Sequence, residues 1–402
     1  MKRALFAKEL ARVQGILIVV LVLVGIAQAA PKEKILYRFQ GGSDGSEPMG
    51  TLVADGAGNL YGTTAGGGTG ACQGGCGTVF ELSPNPDGSW TKTPLYSFAG
   101  GNDGAFPNAG LVFDPQGNLY GTTLHFGASG DGTVFRLSPG KPGNPWREKV
   151  LYNFVGDRDG EYCLGSLRFD KAGNLYGATL FGGTYGGGTI FQLVPQGEVW
   201  SLNVLHTFKG TGDGLDPWGP VTLDSHGVIY GLTSDGTAFR LKPPAPGHSA
   251  WTFRVLYVLT SVVGQGALLA GRSALYGTTG GGGASHSGTI FQLTPQQGKF
   301  WKLTTLYEFK GGADGSFPLN GLVADRAGNL YGVTPLNDTN QGTVYRLSSR
   351  HGVTTKTTLY TFQGNSDGAD PQTGVIVGPG VLYGTTNAGG VSDNGTVFQV
   401  GP

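Results

Sequence analysis

Short apolar runs alternate with polar, glycine-rich turns along the chain from residue 35 onward. The run at 110–114 ends in a turn at 115–117, and a second apolar run follows at 118–123. Apolar runs of four to eight residues between turn signals are typical of β-strands, and no segment keeps the helical period of 3.6 residues over ten residues or more. The pattern therefore predicts an all-β protein.

Three short motifs recur seven times each, always in the same order. Leu-Tyr-x-Phe or a close variant begins at intervals of 50 to 59 residues, and Gly-Asn-Leu-Tyr-Gly and Gly-Thr-(Val/Ile/Ala)-(Phe/Tyr) follow it. Each unit contains four predicted strands, which is typical of a propeller blade. The repeats predict a seven-bladed β-propeller of four-stranded antiparallel blades over residues 31–402, as one domain. The unpaired strand at 35–39 is expected to complete the C-terminal blade, which has only three strands of its own.

Almost a quarter of the chain is glycine or proline, 75 and 22 of 402 residues. The glycines do not fall at every third position, which excludes a collagen-like helix. The chain also has 16 Tyr, 21 Phe and 6 Trp, more aromatic residues than a disordered chain normally carries. We therefore assign the glycines to tight turns between the strands.

Residues 1–30 have the pattern of a secretory signal peptide. Four basic residues precede an apolar run at 16–26, and the Ala-Gln-Ala at 27–29 fits a cleavage site. The run is shorter than the roughly 20 residues of a membrane span, although an uncleaved anchor remains an alternative. We expect a secreted, periplasmic or cell-surface protein.

Cleavage changes the charge of the chain. It lowers the 27 basic and 27 acidic residues to 23 and 26, a net charge of −3. A protein of this charge lacks the electrostatic footprint of a nucleic-acid-binding protein. It also lacks a basic patch for anionic lipid, so no membrane contact is predicted beyond the signal segment.

The three cysteines do not form a disulfide scaffold, because their number is odd. Cys72 and Cys76 are close enough in sequence to close a small loop in an oxidising compartment, worth roughly 2 kcal/mol. A zinc site is disfavoured there because zinc needs four ligands and no histidine is near. Cys163 is predicted to be a small buried residue. The six histidines show no metal-binding spacing, so neither a metal nor a cofactor is predicted.

The motifs Gly-Gly-x-Asp-Gly-x-x-Pro, Gly-Asn-Leu-Tyr-Gly-Thr-Thr, Gly-Thr-Val-Phe and Leu-Tyr-x-Phe together resemble the Gloeo/Verruco (GloVer) tandem repeat of exported bacterial proteins. The resemblance covers nearly all of the mature chain and implies an exported or surface repeat protein without an established activity. The hairpin at 111–120 is also similar to that of NHL-type propeller repeats. Repeat five departs from both patterns, since it lacks the Gly-x-x-Asp-Gly loop and has Ala270-Gly271-Arg272 where other repeats have aspartate.

Two repeated residue types have a structural and a functional interpretation. The aspartate of the Asp-Gly pair occurs once in each of six repeats, and one carboxylate is a poor start for calcium, which takes six to eight oxygens. We predict that it caps its turn. Five tryptophans, five residues before Leu-Tyr-x-Phe, are predicted to pack between neighbouring outer strands rather than to form a sugar-binding belt.

The loop between the second and third strands varies in length, whereas the loop that enters each blade is nearly constant. In the usual propeller geometry both loops lie at the mouth of the central channel, where propellers commonly bind ligands. Aromatic and amide side chains there would suit a glycan or a peptide. The candidate ligand-binding residues are Trp218, His125, Phe126, Phe181, Tyr185, His286, Asn337, Asp338, Asp393 and Asn394.

Three functions stay open at this point. The first is a non-catalytic, monomeric exported propeller that binds a glycan, a peptide or another cell-envelope protein. The second is an enzyme similar to the gluconolactonase or streptogramin-lyase propellers, although the inner strands offer few groups for such chemistry. The third is a purely structural surface protein. An enzyme gains support if these residues converge over the channel: Glu47, Asp216, Asp370, His125 and His286.

Overall fold

The computed structural model describes residues 33–141, 144–260, 266–297, 300–339, 341–350 and 352–401. Their strands form seven antiparallel sheets of four strands each, arranged as blades around a central axis. The predicted all-β, seven-bladed propeller is therefore confirmed. The described residues contain only short 3-10 turns as helical structure, at Gly42–Asp44, Gly312–Asp314 and Asn365–Asp367. In this part of the chain no helix is long and apolar enough to cross a membrane.

Each blade consists of four strands that follow one another from the channel outward. Blade one contains β2 (Val53–Ala54), β3 (Leu60–Thr64), β4 (Thr78–Pro84) and β5 (Trp90–Ser97), and blade two contains β6 (Val112–Phe113), β7 (Leu119–Thr123), β8 (Thr133–Ser138) and β9 (Arg147–Asn153). Blade three contains β10 (Arg168–Phe169), β11 (Leu175–Thr179), β12 (Thr189–Gln196) and β13 (Val199–Thr207), and blade four contains β14 (Thr222–Leu223), β15 (Ile229–Leu232), β16 (Thr237–Lys242) and β17 (Thr252–Val258). Blade five contains β18 (Leu269–Ala270), β19 (Leu275–Thr279), β20 (Thr289–Thr294) and β21 (Lys302–Glu308), and blade six contains β22 (Val323–Ala324), β23 (Leu330–Thr334), β24 (Thr343–Arg350) and β25 (Val353–Thr361). Blade seven contains β26 (Ile376–Gly378), β27 (Val381–Thr386), β28 (Thr396–Val400) and β1 (Glu33–Arg38).

The N-terminal strand closes the ring, as expected. β1 pairs antiparallel with β28, from Glu33 opposite Val400 to Arg38 opposite Thr396. The last blade is thus built from both ends of the described chain. Closure gives β28 a partner on each side, so the first and last repeats do not leave an unpaired edge between them.

The innermost strands are shorter than predicted. The run at 110–114 contributes only Val112–Phe113 to its sheet. At its start the backbones of adjacent blades approach closely, since a Cβ on Gly110 would lie 2.6 Å from the carbonyl oxygen of Thr51. Such an approach requires glycine and leaves this segment against the neighbouring blade rather than in a ladder.

The repeated tryptophans pack between consecutive blades. Each indole contacts the tyrosine of the second strand in the preceding blade, and the Trp301 backbone N–H also donates to the Leu256 carbonyl of the preceding outer strand at 2.9 Å. The ring centroids are 6.1 to 6.5 Å apart, so these pairs join consecutive blades. The pairs are Trp90–Tyr383, Trp146–Tyr61, Trp200–Tyr120, Trp251–Tyr176 and Trp301–Tyr230.

The aspartate of each Asp-Gly pair holds the loop that enters its blade, which confirms the turn interpretation. The Asp44 carboxylate accepts hydrogen bonds from the Gln40 N–H at 2.8 Å and from the Tyr37 hydroxyl at 2.7 Å. Among the described residues, no group of three or more His, Cys, Asp or Glu side chains could hold a metal ion. The same contact recurs in six blades, as Tyr37–Asp44, Tyr96–Asp103, Tyr152–Asp159, His206–Asp213, Tyr307–Asp314 and Tyr360–Asp367.

The structure joins Cys72 and Cys76 in a disulfide, with the sulfur atoms 2.05 Å apart. The bridge lies within the loop between β3 and β4. Cys163 is a free, buried thiol, and burial raises its pKa to about 12. A thiol with such a pKa stays protonated and unreactive near neutral pH.

Candidate functional site

Two kinds of loop form the surface at the mouth of the channel. In five blades the loop that enters the blade is joined by an antiparallel bridge to the loop between the second and third strands of that blade. These bridges place the constant and variable loops on one face, as the sequence predicts. The bridged pairs are Ser46–Gly66, Ala105–His125, Glu161–Phe181, Ser316–Leu336 and Ala369–Ala388.

A cavity of about 380 Å³ lies at this mouth. One residue from each of six blades, at the equivalent place before the innermost strand, lines it. The Trp218 side chain is 38% exposed there. The side-chain oxygen of Asn108 has no hydrogen-bond partner among the described residues, whereas the Thr373 hydroxyl is bonded to that of Thr385 and the Asn320 amide donates to the Gln372 carbonyl. No carboxylate, lysine or arginine is among the described lining residues. The six equivalent residues are Met49, Asn108, Leu164, Trp218, Leu319 and Gln372.

Five aromatic side chains form a continuous array beside the cavity. The His125 ring lies 5.8 Å from that of Phe106 and 4.8 Å from that of Tyr162. Phe126 extends the array at 6.3 Å from Phe106, and Phe181 extends it at 6.0 Å from Tyr162. These five residues, which belong to the mouth loops of blades two and three, are called the aromatic array below.

Three of these residues have an unusual backbone conformation. Phe106, Phe126 and Tyr162 have φ angles of 58°, 64° and 59°. A positive φ is rare for a bulky side chain and persists only where the surroundings impose it. At Phe106 they do, because its N–H donates to the Cys76 carbonyl at 2.9 Å and its carbonyl accepts from the Leu124 N–H at 3.1 Å. The same positive φ occurs at the equivalent position of other repeats, at Glu47, Asp216, Phe317 and Asp370, so it belongs to the shared geometry of these loops.

The array is largely uncharged. Burial lowers the pKa of His125, so its imidazole is neutral at neutral pH and can both donate and accept a hydrogen bond. At one edge, burial and the nearby carboxylates of Asp131 and Asp157 raise the pKa of Glu161. The array and the cavity beside it therefore present flat apolar rings and neutral polar groups, with the carboxyl of Glu161 at one edge of the array.

The structure brings four of the ten predicted ligand-binding residues to this region and places the other six elsewhere in the mouth loops. His125 and Trp218 line the cavity, and Phe126 and Phe181 extend the array. Tyr185 is exposed and lies under the ammonium group of Lys209, 5.0 Å from its ring centroid. His286 and Asp338 are exposed in the loops of blades five and six.

The remaining three predicted residues form hydrogen bonds within or between the mouth loops. Asn337 is buried, and its side-chain oxygen accepts hydrogen bonds from the N–H groups of Thr339 and Gln341. The Asp393 carboxylate accepts from the Gly389 N–H at 2.7 Å. The backbone carbonyl of Asn394 accepts from the Glu47 N–H of the adjacent loop at 3.1 Å. The side-chain contacts of Asn337 and Asp393 explain why polar residues stand at those two positions.

Phe106 and Tyr162 were not among the predicted residues. Both lie two positions after an Asp-Gly pair, where other repeats have Glu47, Asp216 or Asp370. Aromatic residues at this place in consecutive repeats were the available signal. Their importance depends on the adjacency of the loops of blades two and three, which repeat spacing alone does not give.

The titratable residues that an enzyme would need do not converge. Glu47, Asp216 and Asp370 occupy equivalent loop positions in blades one, four and seven, and His286 belongs to blade five. Of these five residues, only His125 lines the cavity. No hydrogen bond between described residues joins the side chains of any two of them. The Asp370 carboxylate instead accepts from the Gln372 amide at 2.7 Å.

The fold and its mouth define a repeat-built, seven-bladed propeller with a mainly neutral, aromatic channel entrance. The sequence profile of the Gloeobacter/Verrucomicrobia repeat matches residues 22–242 and 169–398. The chain belongs to this repeat family. No curated protein matches it.

Solved structures with the same fold are distant. A presumed oxidoreductase (glucose dehydrogenase) of Thermus thermophilus is 20% identical, with a TM-score of 0.44, over 72% of this chain and 95% of that one. A protein of unknown function from Dyadobacter fermentans is 13% identical, with a TM-score of 0.41, over 82% of this chain and 98% of that one. At this level of similarity neither protein informs the function of this chain.

Proposed function

We propose that the protein is an exported, non-catalytic propeller that binds a neutral glycan at its channel mouth. The observation that carries this proposal is the aromatic array beside a cavity lined by apolar and neutral polar residues, without a charged side chain among the described ones. Sugar rings offer apolar C–H faces for aromatic rings and hydroxyl groups for amides. The cavity volume falls within the usual range for ligand sites, about 300–1,000 Å³.

Export is supported by the signal-like pattern of residues 1–30 and by the disulfide between Cys72 and Cys76, a bond that persists in oxidising compartments. N-terminal sequencing of the protein from its native envelope or culture medium tests this part. We expect the mature chain to begin near residue 30. A chain that retains residues 1–30 would instead indicate an anchor.

Binding is tested on a glycan array with the wild-type protein and the double variant Phe126→Ala/Phe181→Ala. Both side chains are partly exposed and form the two ends of the array. We expect at least one neutral glycan to be retained by the wild type and lost by the variant. Phe317→Ala is the control, because Phe317 is a similarly exposed phenylalanine of a mouth loop in blade six and lies outside the array. It occupies the loop position that Phe106 and Tyr162 have in blades two and three.

Three results would overturn the proposal. One is the absence of any neutral glycan among the ligands of the wild type. Another is equal loss of binding in the Phe317→Ala control, which would point to a general effect on the loops. The third is chemical turnover of a bound glycan by the wild type, which would replace binding by the enzyme alternative.

A further inference from the structure

The first turn of blade five lacks the aspartate that five other blades have at this position. In blade four, the Asp224 carboxylate accepts hydrogen bonds from the N–H groups of His226 and Val228 at 2.8 and 2.9 Å. Blade five has Gly271 at the corresponding place, because Ala270 pairs with Leu275 as Leu223 pairs with Ile229, and its shorter turn contains Arg272. This turn therefore replaces a carboxylate by an exposed guanidinium.

The neighbouring sheet of blade four contains a pair of like charges. Arg240 of β16 is directly opposite Arg254 of β17. Like charges at such positions destabilise a sheet, so a pair of this kind needs either a neutralising partner or a function. Neither arginine belongs to the channel mouth.

Blade two contains the same arrangement and shows how it can be neutralised. Arg136 of β8 is directly opposite Lys149 of β9. Glu198, from the hairpin between β12 and β13 of blade three, lies 2.6 Å from the Lys149 ammonium and 3.7 Å from the Arg136 guanidinium. The ion pair with Lys149, followed by Arg136, lowers the pKa of Glu198.

Among the described residues of blades four and five, no carboxylate forms an ion pair with Arg240 or Arg254. Glu198 stands two residues before the tryptophan of its outer strand, and the residue at that place in blade five is Lys299, which lies outside the described residues. Within the described part of the chain, no ion pair to a carboxylate involves any of three basic residues. These are Arg240, Arg254 and Arg272.

The three arginines line one cleft of about 1270 Å³. The first turns of blades four and five border it, so it lies on the face opposite the channel mouth. Phe300, with 63% of its surface exposed, and Trp301 add aromatic rings to the wall. Ser225 and Gln296 add neutral polar groups. Asp224 also borders the cleft, but its carboxylate is engaged by its own turn.

We propose that this cleft binds a segment of an acidic polysaccharide that has carboxylate or sulfate groups. Arginine pairs with such oxyanions through two parallel hydrogen bonds. The like-charge pair supplies the reason why an anion would be taken up, and the exposed aromatic ring supplies a face for the sugar. The site is separate from the channel mouth, so this inference does not depend on the proposed function.

The test measures the affinity of the wild-type protein for an oligogalacturonate hexamer and for a chondroitin sulfate hexasaccharide by calorimetry. We expect binding of at least one of them, weakened by added salt. The variant Arg254→Gln/Arg272→Gln should bind it at least about tenfold more weakly. Lys149→Gln is the matched control, since it changes the same place in the neutralised sheet of blade two, and it should bind like the wild type.

The proposal is wrong if neither acidic oligosaccharide binds, or if Lys149→Gln weakens binding as much as the double variant. It is equally wrong if polyglutamate or single-stranded DNA binds more tightly than both sugars, because an acidic protein or a nucleic acid would then be the better occupant. Thermal unfolding without ligand checks the premise. The double variant should be at least as stable as the wild type at low salt, and a lower melting temperature would show that the arginines have partners in the fold.

Discussion

One repeated position on the outer strands faces the aspartate of the loop that enters the same blade. In blades one and six this position is lysine. Lys92 lies 2.8 Å from the Asp44 carboxylate, and Lys356 lies 2.8 Å from that of Asp314. Both lysine side chains are almost completely buried. The ion pair explains why a lysine is tolerated at this depth.

In blade two the same position is glutamate. Glu148 is opposite Leu137 in the sheet, as Lys92 is opposite Leu82. Burial, together with the negative charge of Asp103, raises the pKa of Glu148 to about 7. One of its carboxyl oxygens is buried without a hydrogen-bond partner among the described residues. We therefore predict that Glu148→Gln and Glu148→Lys stabilise the protein.

The magnitude follows from the change in pKa. A rise from 4.5 to about 7 corresponds to about 3 kcal/mol at about 1.4 kcal/mol per unit. Because the side chain is partly exposed, screening by solvent reduces this to roughly 1–2 kcal/mol. A raised pKa in the folded state means that the protonated carboxyl is favoured. The contribution of the protonated Glu148 carboxyl to the free energy of unfolding is complete below about pH 4.5 and is lost as the pH rises through 7.

Urea unfolding at several pH values between 4.5 and 8 measures this effect. Glu148→Gln should match the wild type near pH 4.5 and exceed its free energy of unfolding by about 1–2 kcal/mol at pH 8. Glu148→Lys should gain at pH 8 as well, through an ion pair with Asp103. Glu198→Gln is the control: because the pKa of Glu198 is lowered, this variant should lose free energy of unfolding relative to the wild type as the pH rises. The reasoning is refuted if Glu148→Gln and the wild type have the same free energy of unfolding at pH 8, or if the difference between them does not change with pH.

Other predictions concern the blade cores and turns. Tyr345 is fully buried with a hydroxyl that has no partner among the described residues, so Tyr345→Phe should stabilise the protein by about 1 kcal/mol in urea unfolding, and a loss would show a hidden partner. Gly77 has a φ of 90°, and a Cβ there would lie 2.5 Å from Cδ of Pro107. Gly77→Ala should therefore lower the free energy of unfolding in urea by roughly 2 kcal/mol or more. Gly56→Ala should change it little, because a Cβ on Gly56 would meet no atom within 4 Å. Cys72→Ser, which opens the disulfide, should lower the free energy of unfolding by about 2 kcal/mol and with it the melting temperature. An unchanged melting temperature would argue against the bridge.

The repeat spacing was sufficient to predict the blades, their number and the closure of the ring. Each blade repeats the same turn and packing residues, so local signals agree with the global fold. The tyrosine partner of Trp146 was not predicted, because the sequence shows which face of a strand is aromatic but not which residue of the neighbouring blade is within reach. The two-residue inner strands also depend on contacts between blades, as at Gly110.

The candidate site was predicted only in part, for a related reason. Trp218 stands out in the sequence because it breaks the register of the other tryptophans, and the structure places it in the cavity. Phe106 and Tyr162 do not stand out, since each is one member of a loop position that tolerates acidic and aromatic residues. Arg240 and Arg254 of the blade four–five cleft are brought together by pairing within one blade, whereas their proximity to Arg272 depends on the packing of blade five against blade four.

The fluorescence of Trp218 during a titration with the neutral glycan selected on the array tests the central claim most directly. Because this indole lines the cavity and is partly exposed, the account predicts a saturable change in emission for the wild type that is absent in Trp218→Phe. The same change in both proteins, or glycan binding to the wild type without any change in emission, would place the ligand elsewhere and contradict the account.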